Sequence, residues 1–168
     1  FRAGGWGHIV GDEGSGYYIG TRALNAALKS YDGRARDTIL LPKLMHTIDV
    51  ENIDELIEYI YSNTSSKSRI ADLARVVDDA FQQGDIVAKQ ILDDSAYELF
   101  LLADTIIRQL EFEDTISLVV HGSVLKKNDY IFSSFCNLVN AEYDNVEIIK
   151  LDKDATYGAV DIALGALE

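Results

Sequence analysis

Residues 1–20 read FRAGGWGHIVGDEGSGYYIG, and this stretch carries the most informative pattern in the chain. Five glycines fall within its first fourteen residues, a density that excludes a helix because glycine is a poor helix former. The pattern predicts a short strand over residues 1–9 and then a tight loop in which the backbone can approach a ligand. Ser15 is the predicted N-cap of a helix over residues 17–30, where apolar residues recur at helical spacing.

The loop also holds two adjacent carboxylates, Asp12 and Glu13, close in sequence to the indole of Trp6. A carboxylate can accept hydrogen bonds from two neighbouring hydroxyls, which is what recognition of an uncharged sugar requires. A structural role is the alternative, because both carboxylates would lie near the positive N-terminus of the following helix. For Trp6 the alternative to a ligand contact is an anchor in the hydrophobic core.

Further along, the pattern changes from helices alone to alternating strands and helices. Apolar residues repeat at helical spacing throughout residues 36–111, with a helix break at Gly84. Two short β-branched runs, at 115–121 and 146–151, predict buried strands of one sheet, with helices over 128–140 and 154–168. Strand–helix–strand order with short connections predicts parallel strands. We therefore expect an α/β fold with a large all-helical segment, in a sheet whose other strands lie outside these residues.

Composition narrows the class of protein. The chain has 168 residues, 48% of them hydrophobic and 26% charged, which is enough for one globular core. Its net charge of −13 argues against nucleic acid or an anionic membrane as a partner, although backbone N–H groups can still hold nucleotide phosphates.

The single cysteine, Cys136, excludes an internal disulfide and predicts a small buried residue on a helix. Without a signal peptide or a membrane-spanning apolar run, we expect a cytoplasmic protein. Because the chain opens on Phe1, directly in a motif, we expect a piece of a longer protein.

The stretch at 1–20 resembles the GGWG…GDEGS signature of the N-acetylglucosamine kinase and BadF/BcrA-type ATPase family. Weaker matches follow in the family's order at residues 82–85, 121–124 and 156–159. The resemblance implies a ribonuclease H-like (actin-like ATPase) fold of α/β class. Residues 1–168 would form the C-terminal lobe of a two-lobe kinase, incomplete at its N-terminus, and residues 36–111 a helical insertion within that lobe.

The same resemblance implies roles for individual residues. Gly5, Trp6 and Gly7 would line the sugar site, and the Asp12 carboxylate would bind sugar hydroxyls. The implied nucleotide-binding residues are Phe81, Gly122, Ser123 and Val124.

Taken without the family, these nucleotide positions have plainer interpretations. A glycine and a serine after a strand are typical of a turn, and the segment from Phe81 to Gly84 is typical of a helix that ends on a left-handed glycine. His121 is more typical of a buried, hydrogen-bonded histidine than of a catalytic base. Small residues in the last predicted helix, over 154–168, are compatible with ordinary tight packing, whereas the resemblance implies that this helix lies at the hinge between two lobes.

For the whole protein the resemblance implies an ATP-dependent kinase that phosphorylates an amino sugar such as N-acetylglucosamine, with Mg²⁺. The general base and the phosphate loops of such kinases fall outside this sequence, so no catalytic residue is assigned here and the metal ligands are unknown. This chain alone is expected to be inactive. The expected partners are the sugar, ATP and the protein's own N-terminal lobe, and a homodimer is compatible with the pattern.

Two other functions stay open. One is an ATPase that activates an iron–sulfur dehydratase or reductase, which would need cluster-binding cysteines that Cys136 alone cannot supply. The other is a non-catalytic module that senses a sugar or a nucleotide. A catalytic aspartate elsewhere in the protein would separate the sensing module from the kinase.

Overall fold

The computed structural model describes residues 1–62, 67–110 and 114–151. Its elements are, in chain order, α1 (Gly16–Tyr31), α2 (Leu40–Ile48), α3 (Ile53–Tyr61), α4 (Lys67–Asp72), α5 (Ala74–Gln82), α6 (Ile86–Leu110), β1 (Ile116–Val120), α7 (Ser123–Lys127), α8 (Asp129–Glu142) and β2 (Val146–Lys150).

Two predicted helix boundaries, the start of α1 and the end of α5, are confirmed by the local hydrogen bonds of the structure. The Ser15 hydroxyl accepts a hydrogen bond from the Tyr18 N–H at 3.1 Å, which confirms Ser15 as the N-cap of α1. Gly84 follows α5 with a φ of 85°, and its N–H donates to the Phe81 carbonyl at 2.8 Å, so the predicted left-handed helix end is confirmed. Between residues 50 and 110, the described part of the chain contains helices and connecting turns but no strand, as expected.

One hydrophobic core joins the helical region to the strand region. The long helix α6 packs against α1, α5 and α8, so it forms the centre of the molecule. Side chains that are fully or almost fully buried include Leu40, Leu44, Leu56, Val77, Leu92, Ile131 and Val139. These residues come from α2, α3, α5, α6 and α8, and Val120 of β1 belongs to the same cluster, so the core joins the helical region to the strand pair.

The two strands pair in parallel, as predicted. Ile116 pairs with Val146 and Val120 pairs with Lys150 in the register of the ladder. The connection between them runs through α7 and α8, and α8 packs against both α6 and β2. Asn128 caps α8, since its side-chain oxygen accepts from the Ile131 N–H at 2.8 Å.

The prediction of a strand over residues 1–9 is wrong. Gly4, Gly5 and Gly7 have φ values of 66°, 67° and 105°, which are incompatible with an extended strand. The segment instead forms turns, with one isolated antiparallel bridge between Gly7 and Gly11. The short helix α7, directly after β1, was not predicted, and the predicted helix over 154–168 lies outside the described residues.

Candidate functional site

The glycine-rich loop is held in place by α6. Gly14 has a φ of 72° and lies so close to α6 that a Cβ at this position would be 3.0 Å from the Ser95 carbonyl oxygen and 2.5 Å from Leu99 Cγ. Only glycine satisfies both the left-handed backbone and this approach. The contact fixes the position of Asp12, two residues earlier, relative to the core.

Asp12 lies where three cavities meet. The first, the shared cavity, has a volume of about 300 Å³ and is lined by residues that include Gly5, Asp12, His121, Gly122, Ser123 and Val124. The second, the charged cavity, has a volume of about 360 Å³ and is lined by residues that include Asp12, Lys67, Arg75, Ser123, Val124 and Lys127. The third, the loop cavity, has a volume of about 320 Å³ and includes His8, Asp12, Glu13 and Arg22 in its walls.

The Asp12 carboxylate is partly buried and forms an ion pair with Lys67. Its Oδ2 atom is shielded from solvent and lies 2.7 Å from Lys67 Nζ in α4. Burial raises the pKa of Asp12, but its interactions with Lys67 and Ser15 and the nearby His8 lower it by more, so the pKa lies below its usual value of 3.8. Asp12 is therefore an ionised carboxylate at neutral pH, with 24% of its side chain exposed.

Three of the four predicted nucleotide residues, Gly122, Ser123 and Val124, follow the carboxyl end of β1. Gly122 has a φ of 113°, and α7 begins at the next residue, Ser123. A Cβ added at Gly122 would meet no atom of the described chain within 4 Å, so this glycine borders open space. Ligands of α/β proteins commonly bind at the carboxyl ends of strands.

The structure brings together predicted sugar and nucleotide residues. Gly5 and Asp12 from the loop, and Gly122, Ser123 and Val124 from the β1–α7 junction, line the shared cavity. A ligand at Asp12 and a ligand at Ser123 would therefore be neighbours. That proximity is what transfer of a group between two bound molecules requires.

Three predicted residues are not brought into the shared cavity. Trp6 is 64% exposed and stacks against the Arg2 guanidinium at 4.3 Å, so its alternative role as a core anchor is wrong. Gly7 pairs with Gly11 in the loop. Phe81 packs against the ring of Tyr130, with 4.4 Å between ring centroids, and is absent from the walls of all three cavities.

Sequence reasoning missed several charged residues of the site. Lys67, Arg75 and Lys127 line the charged cavity, together with Asp72 and Asp78, although the chain as a whole carries a net charge of −13. His121 is exposed and lines the shared cavity, so its interpretation as a buried histidine is wrong. The signals for the three cations were weak, because single Lys and Arg residues on helices are usually solvent-facing.

Neither a metal site nor a membrane helix is found in the described residues. Residues 1–62, 67–110 and 114–151 contain no group of three His, Cys, Asp or Glu side chains that could hold a metal ion. None of the helices in these ranges has the length and apolar character needed to cross a membrane. Cys136 lies on a helix, α8, as predicted, and packs against the core, although it is only partly buried.

The chain is similar in sequence to known proteins along almost its whole length. Residues 1–167 match the model of the BadF/BadG/BcrA/BcrD ATPase family. The N-acetylmuramic acid/N-acetylglucosamine kinase of Clostridium acetobutylicum is 42% identical over 163 residues, covering 96% of this chain and 53% of that protein. The N-acetyl-D-glucosamine kinase of Dictyostelium discoideum is 30% identical over 168 residues, covering 98% of this chain and 53% of that protein. The chain thus spans about half the length of the curated relatives it matches.

A solved structure shares the fold. The crystal structure of a protein from Chromobacterium violaceum, provisionally named N-acetylglucosamine kinase, superposes with a TM-score of 0.73. The match covers 94% of this chain and 50% of that one, at 20% sequence identity. At this identity the likeness establishes the fold, and it agrees with the α/β class predicted from the sequence.

Proposed function

Because this chain belongs to the BadF/BadG/BcrA/BcrD ATPase family, we propose that it is part of an ATP-dependent kinase that phosphorylates an amino sugar, with N-acetylglucosamine as the first candidate. The single observation that carries the proposal is the shared cavity, which joins Asp12 to Gly122, Ser123 and Val124. The names of both curated relatives, each an N-acetylglucosamine kinase, support the choice of substrate. Because the chain spans about half of each relative, the activity of the whole protein is part of the proposal.

At the sugar end, the proposal gives Asp12 the role of hydroxyl acceptor. An ionised carboxylate accepts hydrogen bonds from two neighbouring hydroxyls and binds them more strongly than a neutral acceptor would. Gly5 offers backbone in the same cavity. Trp6 and Gly7 remain proposed parts of the sugar site, and Trp6, being exposed, would have to reach the sugar through its backbone or from the outer side of the loop.

At the nucleotide end, the proposal places adenosine beside Gly122, Ser123 and Val124. The absence of a side chain at Gly122 leaves room for a flat ring system against the backbone. Phe81 would contact the adenine only if the nucleotide extended beyond the shared cavity, toward the pair that Phe81 forms with Tyr130.

The phosphoryl-transfer chemistry is proposed to come largely from the rest of the protein. Transfer needs a base, phosphate donors and Mg²⁺ aligned around the reacting group. The described residues offer no three-ligand metal cluster, so no step is assigned here to the ion. We accordingly propose that the protein's own N-terminal lobe supplies the base and the phosphate loops, that residues 36–111 are an insertion, and that the 168-residue chain is inactive alone.

The two alternatives receive less support. An iron–sulfur activator needs thiolates, whereas burial raises the pKa of Cys136, the one cysteine of this sequence. A sensing module would bind the same ligands without turnover, so activity is what separates it from a kinase.

The decisive experiment is a coupled assay on the intact protein that contains this chain. ATP, Mg²⁺ and either N-acetylglucosamine, N-acetylmuramic acid or glucose would be supplied, and ADP formation and sugar phosphate measured together. We expect sugar phosphate with an N-acetylated sugar, at about 1–100 turnovers per second. Sugar binding without turnover would indicate a sensing module, and ADP release without sugar phosphate would indicate an activating ATPase.

A further inference from the structure

The position of Lys67 beside Asp12 depends on a close contact between the helices α1 and α4. Gly16 and Gly20 lie one turn apart in α1 and face the backbone of α4. A Cβ at Gly20 would be under 3.0 Å from the Ile70 carbonyl oxygen, and one at Gly16 would be 3.1 Å from the Ala71 carbonyl oxygen. Because α4 begins at Lys67, this contact fixes where the Lys67 ammonium can lie.

The ion pair with Lys67 involves the buried oxygen of the Asp12 carboxylate, so the two carboxylate oxygens lie in different surroundings. Oδ2 is buried and lies 2.7 Å from Lys67 Nζ. Since Oδ2 contributes almost none of the 24% exposed side-chain surface, the exposed part belongs to the other atoms of Asp12. A ligand entering the shared cavity therefore meets a carboxylate whose buried oxygen is already held.

We propose that Lys67 is a positioning residue for the sugar-binding carboxylate, one that holds Asp12 Oδ2 and thereby orients the rest of the carboxylate toward sugar hydroxyls. This inference rests on the proposed function and adds to it a residue that the sequence did not indicate. Lys67 acts through Asp12 and does not itself contact the sugar.

Electrostatics favour this arrangement. Burial alone would disfavour the charged carboxylate, and the Lys67 ammonium, 2.7 Å from Oδ2, offsets that cost as an ion-pair partner. If Lys67 were lost, a buried oxygen would be left without its cation, which is more costly than losing an exposed pair. Asp12 would then reorient toward solvent or toward another donor, and its geometry at the sugar would change.

The competing role for Lys67 is direct binding of a nucleotide phosphate, because its side chain is 51% exposed and lines the charged cavity with Ser123 and Lys127. That role would require Lys67 to leave Asp12 whenever ATP binds. The two roles predict opposite effects on the two substrates, so steady-state kinetics distinguish them.

The test compares Lys67→Met with Lys67→Arg and with the control Lys43→Met in the intact protein. Lys43 forms the same type of ion pair, with Asp79, between α2 and α5, and neither of these residues lines the three cavities. We expect Lys67→Met to raise the KM for the sugar about ten- to a hundredfold, with the KM for ATP within about twofold of wild type. Lys67→Arg should recover most of the sugar affinity, and Lys43→Met should leave both KM values unchanged.

A double mutant completes the test. If Lys67 acts through Asp12, then Lys67→Met should cause no further rise in the sugar KM once Asp12→Asn is present. Full additivity, a raised KM for ATP with normal sugar kinetics, or no effect of Lys67→Met would each overturn the proposal while leaving the kinase function intact. If the wild-type protein phosphorylates none of the sugars, the proposed function fails and this inference fails with it.

Discussion

Gly20 in α1 lies directly against the Ile70 carbonyl in α4, closer than a side chain at position 20 would allow. A Cβ built on Gly20 falls under 3.0 Å from that oxygen, a separation that real Cβ atoms do not show. The neighbouring atom belongs to the backbone, so it cannot rotate away as a flexible side chain would. The contact therefore sets the distance between α1 and α4, and with it the distance from Lys67 at the start of α4 to Asp12.

We expect Gly20→Ala to destabilise the fold, even though alanine is the better helix former. The gain in helix propensity is about 1 kcal/mol, whereas overpacking against a fixed backbone costs about 1–3 kcal/mol. Because the shift moves α4, the sugar KM should rise as well. Urea unfolding and sugar kinetics of the intact protein measure the two effects.

Gly16→Ala is the graded control for this contact. Its Cβ would lie 3.1 Å from the Ala71 carbonyl oxygen, so this backbone would have to shift by only a few tenths of an ångström. We expect a loss of less than about 1 kcal/mol. Equal effects at positions 16 and 20 would show that the α1–α4 distance is not set by Gly20.

Asp85 connects the start of α6 to the residues that precede α2, and we expect its replacement to destabilise the fold. Its Oδ1 accepts from the Ala88 N–H in the first turn of α6, and its Oδ2 accepts from the Ile39 N–H and the Thr38 hydroxyl before α2, each at 2.8 Å. Asp85→Ala should lower the free energy of unfolding by about 2–3 kcal/mol, because one helix cap and two charge-assisted hydrogen bonds are lost together. Asp85→Asn keeps one acceptor oxygen and should be intermediate.

The effect of Asp85 should also depend on pH in a defined direction. Burial raises the pKa of Asp85, but the backbone hydrogen bonds from Ala88 and Ile39 and that from Thr38 lower it below its usual value of 3.8. A carboxyl whose folded pKa is lowered contributes its stability above the unfolded pKa and loses it as the pH falls through the folded pKa. The gap between wild type and Asp85→Ala should be constant from about pH 7 to pH 5 and should narrow below about pH 4. A gap that widened in acid would contradict this role.

Apart from α7, the described helices and the strand pair could be predicted from the sequence because their signals are local. Helical spacing of apolar residues, the cap at Ser15 and the glycine at 84 each act within a few residues. The two β-branched runs likewise predicted β1 and β2 within one residue at each end. These elements needed no knowledge of distant contacts.

The glycine-rich loop and the charged side of the site could not be predicted in the same way. Glycines permit many backbone conformations, and the one adopted is selected by packing of Gly14 against Ser95 and Leu99, far along the chain. The pairing of Lys67 with Asp12 depends on the approach of α4 to α1. Its sole trace in the sequence is the pair of glycines at positions 16 and 20, spaced one helical turn apart.

Gly122 gives a test of the nucleotide assignment. Gly122→Val should weaken ATP binding at least about tenfold, because the new side chain enters the open space that the adenosine is proposed to occupy. Gly33→Val is the matched control, since Gly33 also has a positive φ, 71°, and also borders open space, but follows α1 away from the three cavities. Both variants carry backbone strain, so circular dichroism and thermal unfolding should confirm that each is folded. ATP binding that is equally weakened in both, or in neither, would make Gly122 an ordinary turn residue.

Asp12 carries the sugar assignment, and its replacement is the most direct test of it. Asp12→Ala in the intact protein should raise the sugar KM about ten- to a hundredfold or abolish turnover, because a charge-assisted hydrogen bond to a hydroxyl contributes about 1.5–3 kcal/mol. Asp12→Asn, which keeps the shape and one acceptor oxygen, should lose less. Affinity for ATP should stay nearly unchanged in both, since the proposed adenosine contacts are made by Gly122, Ser123 and Val124.

The fold should survive the loss of Asp12, because Lys67 is half exposed and can be solvated once its partner is gone. Asp79→Ala is the control, because it removes the carboxylate of the Lys43 ion pair outside the cavities and should leave sugar kinetics unaltered. If Asp12→Ala behaved like Asp79→Ala, then Asp12 would serve only as a negative charge near the N-terminus of α1, and the sugar would have to bind elsewhere.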